Sequence, residues 1–353
     1  MIAAKRILVL GYFGYSNNKL DGQTIKTRSI YEMLLMKSGG KNNIEILDTQ
    51  RFRSSKFTFF SMLWKILRCN RLVYLPAQNN LKYLFPIIYV ICWLKRSEIL
   101  YFVVGGWLSE YLKNKPLHIK ILSKIRAILT ESSELSNSLI TEYQFKNVIT
   151  FPNFRIHSFT PTFVQNSDLF RIVYMARINR MKGIDYVFRL ADYFENASFA
   201  KRPVIIDFYG QIDKEDEVYF YNQLNMYANI SYQGVLQPEN IYKTLTNYDL
   251  MVLPTRYFTE GFPGTVLDAY ISGLPIVATH WKYASDFIIH EKTGLIIPFE
   301  NSEEDFIRAV VKIYQDDNLL VKMKHNAYRQ SINYSLESAW NIFINNNLEE
   351  IIT

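Results

Sequence analysis

The chain has 353 residues, 49% hydrophobic and 21% charged, which excludes a disordered chain and supplies apolar material for more than one core. Its two cysteines, Cys69 and Cys92, have no second cysteine or histidine at metal-ligand spacing, and so small a number argues against a disulfide framework and fits a reducing compartment. The net charge of +7 divides unevenly: residues 1–160 carry 23 Lys+Arg against 9 Asp+Glu (+14), and the remainder 17 against 24 (−7), so the first part of the chain is expected to meet something anionic.

A buried-type strand over residues 6–10 comes first. A glycine-bearing loop over 11–22 follows, then a helix that Gln23 starts and Gly39-Gly40 stops. Lys5 and Arg6 precede only a short apolar stretch broken by Gly11 and Gly14, so no signal peptide is expected and the location reads as cytoplasmic. Short strands are predicted at 44–47, 72–75, 98–104 and 127–130. Between them, residues 56–72 alternate Phe57, Phe59, Phe60, Leu63, Trp64 and Leu67 with Lys56, Lys65 and Arg68. Such alternation suits a helix lying in a membrane interface, and equally a core helix with a basic outer face. The apolar run 83–94 contains Pro86 and is shorter than the roughly 20 residues a bilayer span needs, so it is predicted as a buried helix.

The proline-bearing stretch 153–168 reads as a boundary. Beyond it the alternation restarts, with strands at 171–175, 204–209, 249–253, 276–278 and 295–297 and helices at 184–194, 265–272, 303–314 and 336–347. Alternation of this kind builds parallel sheets. The predicted architecture is therefore α/β: a domain over 1–160, a second over 161–335, and a final helix within 336–353 crossing back to the first. Both domains are expected to be doubly wound and Rossmann-like, facing each other across a cleft that collects ligands at strand C-terminal ends.

Residues 259–279 read TEGFPGTVLDAYISGLPIVAT. The loop Glu260-Gly261-Phe262-Pro263-Gly264 leads from a strand into a helix that begins near Thr265 and carries Asp268 one turn in. Free amides at a helix start favour an anion. Carboxylates beside that point are costly next to a phosphate unless they accept hydroxyl hydrogen bonds. A sugar nucleotide meets both conditions, and an ordinary strand–loop–helix with solvated acids is the competing explanation. Residues 171–183 read RIVYMARINRMKG and place Arg177 and Lys182 just after a strand, where fixed cations can hold a diphosphate. Arg180 is an alternative cation. Gly22 stands just before the first helix, where a plain loop glycine is an ordinary occurrence. The acids of 213–217 read as solvated helix-start charge, and Asp185 as a helix-start acid. No Asp-x-Asp stands at a strand end, and the Tyr and Phe residues are scattered rather than arranged for nucleic-acid stacking.

These segments resemble retaining glycosyltransferase family four, a group 1 glycosyltransferase family of the GT-B fold that includes bacterial polysaccharide enzymes. The first resembles its Glu-(seven residues)-Glu signature, with Asp268 where the family usually has Glu; the second resembles its Arg-x-x-x-x-Lys segment. The resemblance implies a metal-independent, retaining hexosyltransferase taking a nucleoside-diphosphate sugar as donor and needing no cofactor. By the same resemblance, Arg177, Lys182 and Glu260 are catalytic. Gly22, Gln23, Gly261, Phe262, Pro263, Gly264, Thr265 and Asp268 bind the donor, with Asp268 on the ribose hydroxyls. The implied acceptor is a glycan or lipid-linked glycan used in cell-surface polysaccharide or glycolipid synthesis. The enzyme would sit peripherally at the inner face of the cell membrane, against an anionic surface. The histidine that many members carry after a middle strand of the first domain is absent, since residues 104–107 read VGGW, and His118 lies too far along to replace it. Two rivals stay open: a sugar-nucleotide epimerase on the same architecture, and a non-catalytic binding or partner subunit. Fold alone does not choose among them.

Overall fold

A computed structural model describes residues 6–15, 21–39, 43–53, 57–163, 168–197, 201–300 and 302–352. Residues 16–20 of the first loop, and Lys5 and Lys56, lie outside the described residues.

The chain divides into two compact units, Met1–Ile156 with Tyr334–Thr353, and His157–Asn333. In the first, β1 (Arg6–Gly11), β2 (Asn43–Asp48), β3 (Arg71–Leu75), β4 (Glu98–Phe102), β5 (Ala127–Thr130) and β6 (Val148–Thr150) form a parallel sheet in the order β2-β1-β3-β4-β5-β6. Alternate strand residues face opposite layers. Ile7, Val9, Val73, Leu100, Phe102 and Leu129 pack with Ile30, Met33 and Leu34 of the Gly22–Ser38 helix. The same layer receives Ala339 and Phe343 of the Leu336–Asn345 helix, whose Phe343 ring lies 5.4 Å from Phe151. On the opposite face Tyr74 and Tyr101 pack on Phe85, at 5.6 and 5.9 Å between ring centres.

The second unit contains β7 (Phe170–Met175), β8 (Val204–Tyr209), β9 (Ile230–Tyr232), β10 (Leu250–Leu253), β11 (Ile276–Thr279) and β12 (Gly294–Ile297), in the order β12-β11-β10-β7-β8-β9, again parallel. The order reverses between β7 and β10, which lie side by side although about half the unit separates them in sequence. In such sheets ligands bind outside the strand C-termini at this switch point.

One expectation needs correction, and three elements had no counterpart in the sequence reading. The apolar run 83–94 forms the Phe85–Lys95 helix, but only one stripe of it, including Phe85, Ile88 and Cys92, is buried; Ile87, Val90, Trp93 and Leu94 face outward. The three-residue strands β6 and β9 sit at sheet edges, where little apolar pattern is required of them. A further helix, Asp317–Ser331, is capped by Asp316, whose side chain accepts from Leu319 N at 2.9 Å. Its buried Lys324 reaches Asp249 Oδ1 at 2.8 Å, just before β10.

Candidate active site

The site grows from the turn after β7. Tyr174 OH donates to Arg177 O at 2.8 Å, and Asn179 Oδ1 accepts from Lys182 N at 2.8 Å, closing the turn on itself. Two acids hold it from outside. Asp213 Oδ2 accepts from Asn179 Nδ2 at 2.6 Å, and Asp216 accepts from Arg180 N at 3.0 Å and Arg180 Nε at 2.6 Å. The acids of 213–217 are thus not simply solvated helix-start charge: two of them brace this turn. Arg180 is paired in that brace.

Gly183 ends the turn at φ 77°, and a Cβ there would lie 1.9 Å from Pro254 O. Only glycine permits both the left-handed backbone and this approach, which draws the turn after β7 against the end of β10. Arg256 fastens the same junction. Its backbone N donates to Met181 O at 2.8 Å, and its guanidinium grips Asp185, with Nη1 to Oδ1 at 2.8 Å, in a two-point contact. Asp185 is in the first turn of the Ile184–Glu195 helix as expected of a helix-start acid, and it also serves as this anchor.

The approach brings Lys182 Nζ into contact with Glu260 Oε2, although 78 residues separate them. The two side chains are 12% and 21% exposed. Thr255 Oγ1 donates to the same carboxylate oxygen at 3.4 Å, and the ammonium lies 5.0 Å from the centre of the Tyr257 ring. The two charges that the sequence assigns to different parts of a donor therefore neutralise each other here. Arg177 differs: it is exposed, and its guanidinium makes no hydrogen bond or ion pair among the described residues.

Beyond Glu260, Phe262 is buried and stacks flat on Phe287 with ring centres 4.0 Å apart, which fixes the loop. The helix Gly264–Ile271 starts one residue before the expected Thr265. Pro263 stands at its cap position with no side-chain cap. Its first-turn amides are thus left without that side-chain acceptor, as an anion site requires. Thr265 Oγ1 donates to Met175 O at 2.9 Å, tying this helix start to the end of β7. Asp268 is buried one turn in. Arg177, Lys182, Glu260, the 261–265 loop and Asp268 thus share the switch-point end of the second sheet.

Gly22 and Gln23 belong to the first unit. Gly22, not Gln23, is the first helical residue. Asp21 caps the helix, accepting from Thr24 N at 2.9 Å, while Thr24 Oγ1 accepts from Asp21 N at 3.0 Å. One turn on, Lys26 is buried; it donates to Glu131 Oε1 at 2.6 Å and Val103 O at 2.7 Å, and burial holds its pKa below the usual lysine range. His118 is buried, with Nε2 3.2 Å from Leu81 O and 3.3 Å from Tyr111 OH, a packing role. The sequence reading took Asp213 and Asp216 for solvated charge and gave no site role to Thr255, Tyr257 or the Lys26–Glu131 pair. Thr255, Tyr257, Asp213 and Glu131 lie within a few residues of a predicted strand end, and Lys26 carried no such signal.

Residues 161–330 match a family model described as glycosyl transferases group 1. A protein of Klebsiella pneumoniae, described as an uncharacterized 41.2 kDa protein in the cps region, is 22% identical over 136 residues, 38% of this chain and 34% of that protein. The structure of Anabaena HepE in complex with UDP and glucose superposes with a TM-score of 0.70 at 14% identity, over 98% of this chain and 100% of its own. Sucrose-phosphate synthase from Thermosynechococcus elongatus gives 0.72 at 14% identity, over 98% of each. A mutant of S. aureus TarM, in complex with fondaparinux, alpha-GlcNAc-glycerol and UDP, gives 0.62 at 20% identity, over 80% of this chain and 58% of its own. The chain therefore spans about a third of the curated relative and a little over half of TarM. The full-length superpositions establish the fold.

Proposed function

We propose that this chain, whose residues 161–330 match the group 1 glycosyl transferase model and which superposes along its length on proteins of the GT-B fold, moves a sugar from a nucleoside-diphosphate sugar to an acceptor hydroxyl. One observation carries the reading: a Lys182–Glu260 pair set beside the open first turn of the Gly264–Ile271 helix, at the β7/β10 switch point. On donor binding the pair exchanges partners. The ammonium turns to the diphosphate, and the freed carboxylate accepts hydrogen bonds from hydroxyls of the sugar. The diphosphate lies at the helix start, within reach of the 261–265 amides, and Arg177 supplies a second cation that needs to leave no partner. Asp268 takes the ribose hydroxyls.

In the chemical step the bond from the anomeric carbon to the phosphate oxygen breaks, and a bond to the acceptor oxygen forms on the same face of a hexose. The acceptor proton passes to the departing phosphate oxygen. Negative charge grows on the diphosphate during this step, so the pull of Arg177 and Lys182 strengthens toward the transition state and lowers the barrier. These cations take the neutralising role that a divalent metal fills elsewhere, so neither metal nor cofactor is needed. The acceptor is a glycan or lipid-linked glycan of cell-surface polysaccharide or glycolipid synthesis, a reading supported by the cps-region relative. The enzyme works at the inner face of the membrane as a peripheral protein. Among the described residues no helix is long and apolar enough to cross a membrane.

The test is release of nucleoside diphosphate from a panel of nucleotide sugars in excess EDTA. Turnover of at least one donor is expected. Binding without turnover would replace the transferase with a partner subunit, and a product inverted at C2 would replace it with an epimerase.

A further inference from the structure

Helices on the surface of a soluble domain turn apolar residues inward and polar residues outward. Two neighbouring helices of the first unit do otherwise. In Phe57–Arg68 the inward stripe is Thr58, Met62 and Ile66, while Phe57, Phe60, Trp64 and Leu67 face outward, 82%, 66%, 54% and 54% exposed. In Phe85–Lys95 the outward stripe is Ile87, Val90, Trp93 and Leu94, with Trp93 64% and Leu94 70% exposed. The helices are fastened together: Lys95 Nζ donates to Ile66 O at 3.0 Å and Cys69 O at 2.8 Å, filling carbonyls at the end of the first helix. Their C-terminal ends therefore lie together, and each helix carries an outward apolar stripe. Clustered exposed apolar surface marks an interaction site.

Charge identifies the occupant. Residues 49–97 contain nine Lys and Arg and no Asp or Glu. Arg68, Lys82 and Arg96 are exposed and have no carboxylate partner among the described residues. Arg68 lies 4.3 Å from the centre of the Trp64 ring, and Lys82 Nζ 4.8 Å from that of Tyr83, so cations stand level with the aromatic rim. Trp and Tyr flanked by cations is the chemistry of a lipid interface. A second copy of the same face would oppose like charges across a symmetric contact, which disfavours self-association.

We propose that the Phe57–Arg68 and Phe85–Lys95 helices form one interfacial surface that seats the first unit on an anionic lipid leaflet. Phe57, Phe60, Trp64, Trp93 and Leu94 enter the acyl boundary, and Arg68, Lys82 and Arg96 meet headgroup phosphates. This deepens the peripheral-membrane reading above and rests on it; the donor site takes no part.

The full chain is sedimented with phosphatidylcholine vesicles with and without phosphatidylglycerol. The parent pellets with the anionic vesicles alone, and less at high salt. Trp64→Ser with Trp93→Ser lowers partitioning about tenfold or more, and Arg68→Glu with Arg96→Glu lowers it at least about fivefold for each charge removed. All four positions are exposed, so circular dichroism and the thermal midpoint stay those of the parent. Nucleoside-diphosphate binding, measured by calorimetry, also stays unchanged, which separates failure here from failure of the donor-site reading. The proposal is overturned if the parent stays in the supernatant with anionic vesicles, or if both variants pellet like the parent. It is overturned equally if the parent is a dimer that the tryptophan variant dissociates, because a second copy then covers the face.

Discussion

Glu260→Gln tests the proposed division of the site into a phosphate half and a sugar half. In the free enzyme the Glu260 carboxylate holds the Lys182 ammonium in contact, and both side chains are largely but not wholly shielded. Unit charges about 4 Å apart at an effective dielectric of about 20 attract by about 4 kcal/mol. Residual exposure and the entropy of fixing two long side chains reduce the net worth of such a pair to about 1 kcal/mol. Glutamine keeps the shape, and its amide oxygen can still accept from Thr255, but the negative charge is gone. Lys182 is then free for an incoming diphosphate, so the sugarless nucleoside diphosphate should bind about fivefold tighter, the equivalent of about 1 kcal/mol. Transfer should fall in the same variant by about a hundredfold, because the sugar loses a contact that strengthens in the transition state. Calorimetry with UDP, GDP and ADP reads the first effect and donor turnover the second. Lys182→Ala in the Glu260→Gln background should erase the gain in affinity. Unchanged or weaker nucleotide binding in Glu260→Gln would refute the partner exchange.

Arg177→Ala and Lys182→Ala should each cost about 2.7–4 kcal/mol of transition-state stabilisation, a hundred- to a thousandfold in turnover, with an unchanged thermal midpoint for Arg177→Ala; full activity in either removes that residue from the site. Asp268→Asn should weaken nucleotide binding modestly and Asp268→Leu severely, and parental affinity in both would refute the ribose contact. Gly183→Ala forces a side chain to within 1.9 Å of Pro254 O at positive φ. Strain of about 1–3 kcal/mol for the backbone alone predicts a clear fall in the melting temperature, and an unchanged one would mean the β7–β10 junction is looser than described. Burial pushes the Cys69 thiol up to about 11 and the Cys92 thiol up to about 12. A thiol-reactive reagent at neutral pH should leave both unlabelled in the folded protein and label both after denaturation; fast labelling of the folded chain would contradict the packing.

The strands were legible because five- and six-residue runs rich in aliphatic and aromatic residues, such as RILVL and VIIDFY, suit the middle of a parallel sheet. The edge strands β6 and β9 escaped because three residues at an edge carry no such run. The Asp317–Ser331 helix escaped because its exposed face is polar and its decisive contact, Lys324 to Asp249, spans 75 residues. The Phe85–Lys95 helix was misread for the opposite reason: apolar on every side, it suggested a core, and nothing local told that its outer stripe continues a neighbour's. In the site, the residue types and the loop–helix framework were readable from residues 171–183 and 259–279. That Lys182 and Glu260 hold each other was not, because the pairing depends on Gly183 letting Pro254 O come to within 1.9 Å of where a Cβ would stand.

The most direct test of the central claim is proton NMR of donor turnover, in excess EDTA, for the nucleotide sugar that the panel selects. An enzyme working as described releases nucleoside diphosphate and yields a product whose anomeric signal has the configuration of the donor, and Arg177→Ala slows both together. An inverted anomeric signal, or turnover that stops in EDTA and returns with magnesium or manganese, would contradict it.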